Sequence, residues 1–507
     1  MRKLLAVLGG IFVVAALALG FSARLTPDTV GGGAPATQAV SAGDLHAALT
    51  STDGFSPAYD WVALRRFYAL RNYAPLWLDG EGVSRGAPAA AKTIRAAAEE
   101  GLPASDYPLP PEPGSQASRH DRLAYELALT QAVLRYAHDM RLGRVRPERV
   151  YQDASFRREA YDPVDDLFAA AERDEIDTFL RDLEPPGDYG RLKQALAFYR
   201  AAAAKGGWPQ VEKNGPPQNL AARLAAENFM AAGDADVASG LSAYQQASGL
   251  QPTGKLDEDT RAMLNISADS RAGQIAANME RLRWLPLNLG DRYILVNVAS
   301  AGLALMDGQQ AALTSKVVVG APDKPTPLLA TDAVAVTINP EWHVPDSIAQ
   351  KEIQPKLDRD PDYLSKKNMR EEDGHIIQAA GPDNALGTLK VEMPNLFDVY
   401  LHDTPGKSAF LSADRAQSHG CVRVEQIRQL AALLLGKTPD EIDALVQEGK
   451  TMRLPVKPQV PVYFLYQTAV AAPDGRVSFR QDVYGRDDPL IAALQAPLVP
   501  RAVATTG

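Results

Sequence analysis

The hydrophobic pattern of this chain changes period near residue 291, and that switch limits the folds open to it. From about residue 44 to 230 apolar residues recur at helical spacing in Ala- and Leu-rich runs, such as APAAAKTIRAAAEEG at 87–101 and YELALTQAVLRYAHDMRL at 125–142. From 291 onward the runs are short and β-branched or alternating: YILVNV at 293–298, KVVVG at 316–320, AVAVTIN at 333–339 and DVYLH at 398–402, set between Gly, Pro and Asp. Helices followed by strands predict a multidomain α + β protein. The expected parts are a mostly helical scaffold over 44–230, a small three-helix module over 231–268, a mainly β, sandwich-like domain over 269–490 and a tail at 491–507. The charged, turn-rich stretch 351–387 is too long for an ordinary loop and reads as a lid insertion.

The N-terminus carries a different signal. Met1, Arg2 and Lys3 precede an uncharged apolar run at 4–21, and the Gly-, Pro-, Ser- and Thr-rich segment 24–43 follows as a linker. Residues 1–23 therefore read as an export signal, either cleaved or kept as a single membrane anchor. A net charge of −9 and a pI near 5.4 argue against nucleic acid as a partner, because phosphate neutralisation needs a basic face.

Export gives weight to Cys421, the single cysteine in 507 residues. It cannot form an internal bridge, so it is either a working thiol or an inert apolar side chain. Its neighbours favour work. In DVYLH, strand alternation puts Val399 and Leu401 on one face and Asp398, Tyr400 and His402 on the other. In SHGC at 418–421, Gly420 permits a tight turn. The run VEQIRQLAALLL at 424–435 has helical spacing, which places Cys421 just before a helix N-terminus. That position is expected to favour the thiolate and to offer the Gly420 and Cys421 N–H groups to an oxyanion. Cys421 as nucleophile with His402 as base makes a cysteine acyl-transfer site, with His419 a local organiser. The rival reading is zinc held by His402, His419 and Cys421, with Asp403 or His343 as a fourth ligand.

HDT at 402–404 followed by SHGCVR at 418–423 resembles the signature of the L,D-transpeptidase catalytic domain. MERLRWLP at 279–286 and NPEWHVP at 339–345 extend the likeness to the large periplasmic class of that family. The stretch around GLQPTGKL at 249–256 is similar to the small peptidoglycan-binding module. The resemblance implies a periplasmic enzyme whose partners are peptidoglycan stem peptides, a tetrapeptide donor and a diaminopimelate acceptor, joined in a 3→3 cross-link through a thioester on Cys421. It implies no cofactor and no metal, and leaves room for other cell-wall synthases as partners. Tyr400, Ser418 and Trp342 would line the substrate pocket, and Arg423 would hold a substrate carboxylate. Resolution by water would make an L,D-carboxypeptidase instead. A non-catalytic wall-binding scaffold is the alternative from another class.

Overall fold

The computed structural model describes residues 39–80, 82–156 and 160–497. The expected export signal and most of the expected linker lie outside them. No helix among the described residues is long and apolar enough to cross a membrane. The first helix, Ala42–Ser51, opens inside the stretch read as linker because Ser41 caps it. The Ser41 hydroxyl accepts the Asp44 N–H at 3.1 Å, and the Asp44 carboxylate accepts the Ser41 N–H at 2.9 Å.

The scaffold helices gather around Arg119–Leu142, which buries side chains on most of its faces. Beyond them, helices Pro217–Ala226, Val237–Ser248 and Glu258–Leu264 enclose a separate small core of Val211, Leu224, Phe229, Leu241, Tyr244 and Leu264. The three-helix module therefore starts upstream of 231. Its first helix shares the Ala-rich texture of the scaffold, which hid the boundary. Gln245 fastens its central turn: Nε2 donates to the Lys255 carbonyl at 2.8 Å, and Oε1 accepts the Gly254 N–H at 2.9 Å.

Helix Ala268–Arg283 is the seam of the molecule. It packs against scaffold helix Tyr189–Ala204 on one side and against Asp487–Gln495 on another. The latter helix runs through the expected domain end at 490. Buried charges are matched along the seam: Arg281 meets Asp487 at 2.6 Å and Arg283 meets Glu280 at 2.7 Å.

Among the described residues eight strands form the main ladder of the β domain: β1 (Arg292–Asn297), β2 (Gly302–Asp307), β3 (Gln310–Gly320), β4 (Leu328–Ile338), β5 (Leu389–Glu392), β6 (Leu401–His402), β7 (Val422–Val424) and β8 (Met452–Leu465); Ala416–Ser418 also pairs with β3. Their order is β5-β6-β7-β3-β2-β1-β8-β4, and β4 pairs with β5. The ladder thus closes on itself, with core residues such as Val317, Val336, Leu389, Leu401 and Val422 fully buried. One strand comes from the scaffold: Ala154–Ser155 pairs in parallel with Leu328 and Leu329 of β4. The insertion starts at Trp342, upstream of 351. Strand Trp342–His343 pairs with His375–Gln378, which pairs with Met369–Glu372, and short helical turns fill the space between.

Candidate active site

The site is built on one face of three adjacent strands. Lys390 on β5 lies opposite His402 on β6, and His402 lies opposite Arg423 on β7. Leu389, Val391, Leu401, Val422 and Val424 alternate with them and fill the core, so the polar side chains share the other face. Tyr400 and Cys421 extend the same two strands by one alternation, and the Tyr400 carbonyl accepts the Val422 N–H at 3.1 Å.

Cys421 is half-buried. Its thiol donates to the Asp398 carbonyl at 3.9 Å. Asp398 is held with φ near 53°, so regular strand begins only at Leu401 rather than at Asp398. Asn395 shapes that bend: its Oδ1 accepts the Phe397 and Val399 N–H groups at 3.0 and 3.2 Å. The Tyr400 hydroxyl faces both the Cys421 thiol and the Trp342 side chain. The rings of Tyr400 and His402 meet edge-on at 5.5 Å between centroids. Trp342, on the first strand of the insertion, is half-buried and serves as a wall beside the phenol.

Two expectations about the thiol are corrected. The helix after Cys421 is Ile427–Leu435; β7 stands between, so no helix dipole reaches the sulfur. Burial pushes the thiol above its ordinary value near 9, against the opposing pull of Tyr400 and Lys390. His402 is 5% exposed, and its Nδ1 has no hydrogen-bond partner. Burial first, then the Arg423 charge, pushes its pKa down to about 3, with Lys390 adding to the effect. The resting pair is therefore a neutral thiol and a neutral imidazole, the form in which histidine can accept a proton.

The SHGC turn is tied by its own hydrogen bonds. Gly420 has φ near 110°, a conformation that favours glycine. Its N–H donates to the Ser418 hydroxyl at 3.2 Å, and that hydroxyl donates to the Cys421 carbonyl at 2.6 Å. The Gly420 N–H is therefore taken, contrary to its expected oxyanion role. The Cys421 N–H makes no hydrogen bond among the described residues, which leaves it and the Tyr400 hydroxyl as the donors near the sulfur. His419 points elsewhere. Its Nε2 meets the Glu352 carboxylate of the insertion, which also accepts Lys324 at 3.0 Å. No three His, Cys, Asp or Glu side chains among the described residues converge to hold a metal ion.

Two supporting residues escaped the sequence reading. Thr326 is fully buried; its hydroxyl accepts the Gly420-side partner strand through the Gly320 N–H and donates to the Gly420 carbonyl, both at 2.8 Å. Lys390 sits with its ammonium 4.1 Å from the centre of the Tyr400 ring and has no carboxylate partner among the described residues. Thr326 falls in a Pro-Thr-Pro stretch that resembles the L,D-transpeptidase family without assigning it a role, and Lys390 acts through strand pairing that the sequence does not show. Lys390→Met is expected to slow iodoacetamide alkylation of Cys421 at pH 8 by roughly threefold, because a positive charge beside the thiolate is lost. Lys390→Arg should stay near wild type. Equal rates in all three proteins would show that the ammonium only packs.

A half-buried cysteine shares one sheet face with an imidazole, a phenol and two cations, the groups that acyl transfer through a thiol would use. Comparison with known proteins agrees in kind. Residues 62–196 match a Scaffold domain, and residues 291–451 match the L,D-transpeptidase catalytic domain. Residues 291–451 are thus similar to an L,D-transpeptidase catalytic domain. A Haemophilus influenzae protein named "Putative L,D-transpeptidase" is 33% identical over 239 residues, 42% of this chain and 48% of that protein; the chain spans about half the length of this curated relative. Among solved structures, an L,D-transpeptidase from Mycobacterium smegmatis is 13% identical with a TM-score of 0.20, covering 34% of this chain and 58% of that one. L,D-transpeptidase 1 of Mycobacterium tuberculosis is 12% identical with a TM-score of 0.17, covering 34% and 61%. At those scores the overlaps carry no structural argument.

Proposed function

We propose that this protein is a peptidoglycan L,D-transpeptidase that forms 3→3 cross-links through a thioester on Cys421. The observation that carries the reading is the shared sheet face of Cys421, Tyr400 and His402 inside the residues that match the catalytic domain. His402 takes the thiol proton as Sγ attacks the carbonyl between diaminopimelate and terminal D-Ala of a donor tetrapeptide. The Cys421 N–H and the Tyr400 hydroxyl hold the oxyanion. The intermediate collapses, the C–N bond breaks, and D-Ala leaves with the proton from His402. The side-chain amine of a second diaminopimelate then attacks the thioester. His402 accepts its proton, the new amide forms and the thiol is restored.

Arg423 is half-buried with no carboxylate partner among the described residues, which suits it to a substrate carboxylate as a bidentate donor. The substrate places the enzyme in the peptidoglycan layer, on the outer side of the inner membrane. The domain arrangement we propose is a helical scaffold and a three-helix wall-binding module that present this site to the wall.

Incubation with tetrapeptide-bearing muropeptides tests the function. Cross-linked dimers with released D-Ala are expected. Tripeptides alone would make the protein an L,D-carboxypeptidase, and retention without turnover would make it a binding scaffold.

A further inference from the structure

The same sheet face that carries the site continues past it. Lys316 and Val318 lie two residues apart on β3, so they point the same way; Val318 pairs with Arg423, and Lys316 pairs with Gly302 on β2. Over this continuation lies an open groove of about 610 Å³ between β1, β2, β3 and the segment leading into SHGC. Its lining holds three cations, Lys316, Arg415 and Arg480, and one carboxylate, Glu425. None of the three cations forms a salt bridge within 4 Å among the described residues, although the Glu425 and Asp414 charges act on Arg415 from farther away. Every hydrogen bond they make goes to a backbone carbonyl: Lys316 to Phe410 at 3.4 Å, Arg480 to Gln246 at 3.4 Å, and Arg415 to Ser412 and Ser300 at 3.1 Å and Ala301 at 3.5 Å. Arg415 Nε is buried with no partner at all. Elsewhere most buried or half-buried arginines meet a carboxylate, as Arg144, Arg223, Arg281 and Arg283 do.

We infer that this groove binds a carboxylate-bearing peptide, the acceptor stem that resolves the thioester. The inference rests on the cysteine acyl-transfer reading for the identity of the peptide. Glu425 in the groove and Arg423 in the site are two residues apart on one strand line, roughly 7 Å. That offset lies beyond the groups attached to the scissile bond. It is within reach of the rest of a second peptide whose amine has entered the site. A stem peptide bears several free carboxylates, and the three cations supply charge on a chain that is otherwise net acidic. Occupancy of the groove would then decide whether an amine or water meets the acyl-enzyme.

Arg415 ties three carbonyls together, so the test uses Lys316→Gln, Arg480→Gln and the pair. Melting temperatures first establish that each variant is folded. Acyl-enzyme formation with donor alone is then followed by intact mass, and cross-linking is followed as a function of acceptor concentration. Acylation is expected to match wild type, while the acceptor KM rises about tenfold per cation lost, the loss typical of one charge-assisted hydrogen bond. The ratio of cross-linked to hydrolysed product should fall in step, and added salt should reproduce part of the effect in wild type. Unchanged acceptor KM in the double variant overturns the inference while wild-type cross-linking still stands. A parallel fall in acylation also overturns it, by assigning the groove to the donor. Absence of any acyl-enzyme in wild type removes the underlying reading instead.

Discussion

Cys421→Ala is expected to abolish D-Ala release, by at least about four orders of magnitude, in a protein that remains folded. In the proposed reaction the sulfur is the attacking atom, and Cys421 carries the one thiol of the chain. The side chain is half-buried and unbridged, so its removal leaves the strands paired. A carbapenem should add its mass to wild type and not to the variant, read by intact-mass spectrometry; an adduct on the variant would place the nucleophile elsewhere. The pH dependence follows from the two neutral groups. Burial pushes the His402 pKa down to about 3 in the fold, so the imidazole is unprotonated at neutral pH and no acid limb is expected near 6.5. The thiol is raised by burial, so alkylation of Cys421 should keep rising through its ordinary value near 9. The same His402 shift has a stability sign. Between 3 and 6.5 the unfolded chain binds the proton and the folded chain does not, so stability is kept above 6.5 and declines as pH falls through that window.

Arg283→Met should be the most damaging single change to the fold, lowering stability by about 3–5 kcal/mol. Arg283 and Glu280 are both buried, paired at 2.7 Å on the seam helix. Arg283 also bonds the Glu100 carbonyl and the Tyr189 hydroxyl, and Glu280 accepts the Val145 N–H at 2.6 Å. Removing the guanidinium strands a carboxylate whose burial already raises its pKa, and it must protonate or draw in water. Denaturant unfolding measures the loss; a midpoint within about 0.5 kcal/mol of wild type would show that the pair is not needed. Glu280→Gln together with Arg283→Met should recover part of it, since no isolated charge remains.

How much of this was legible in the sequence depended on the range of the interaction. Cys421, His402 and Tyr400 declare themselves locally, through strand alternation and a glycine turn. Arg423 follows from its place beside SHGC, and Trp342 from the likeness carried by NPEWHVP at 339–345. The helix after Cys421 was misplaced because Val424, Ile427 and Ala431 share one helical face, and the three-residue β7 ahead of the helix is too short to show its period. The ionised thiol failed with it, since burial and not a dipole sets its pKa. Lys390 and Lys316 meet their neighbours through strand register, and Thr326 bonds Gly420 from 94 residues away, so no local pattern assigns their roles. Pro217–Ala226 looks like more scaffold until its core partners are known.

The short strand Ala154–Ser155 has a mechanical meaning. It grips β4 at Leu328 and Leu329, and the far end of β4 carries Thr337, the neighbour of Lys390. A single extended rod of roughly 25 Å thus runs from the helical half to the reactive row. Tension on the helices would load that rod lengthwise, in shear across its hydrogen bonds, so a pull on the helical half reaches the reactive row along one strand.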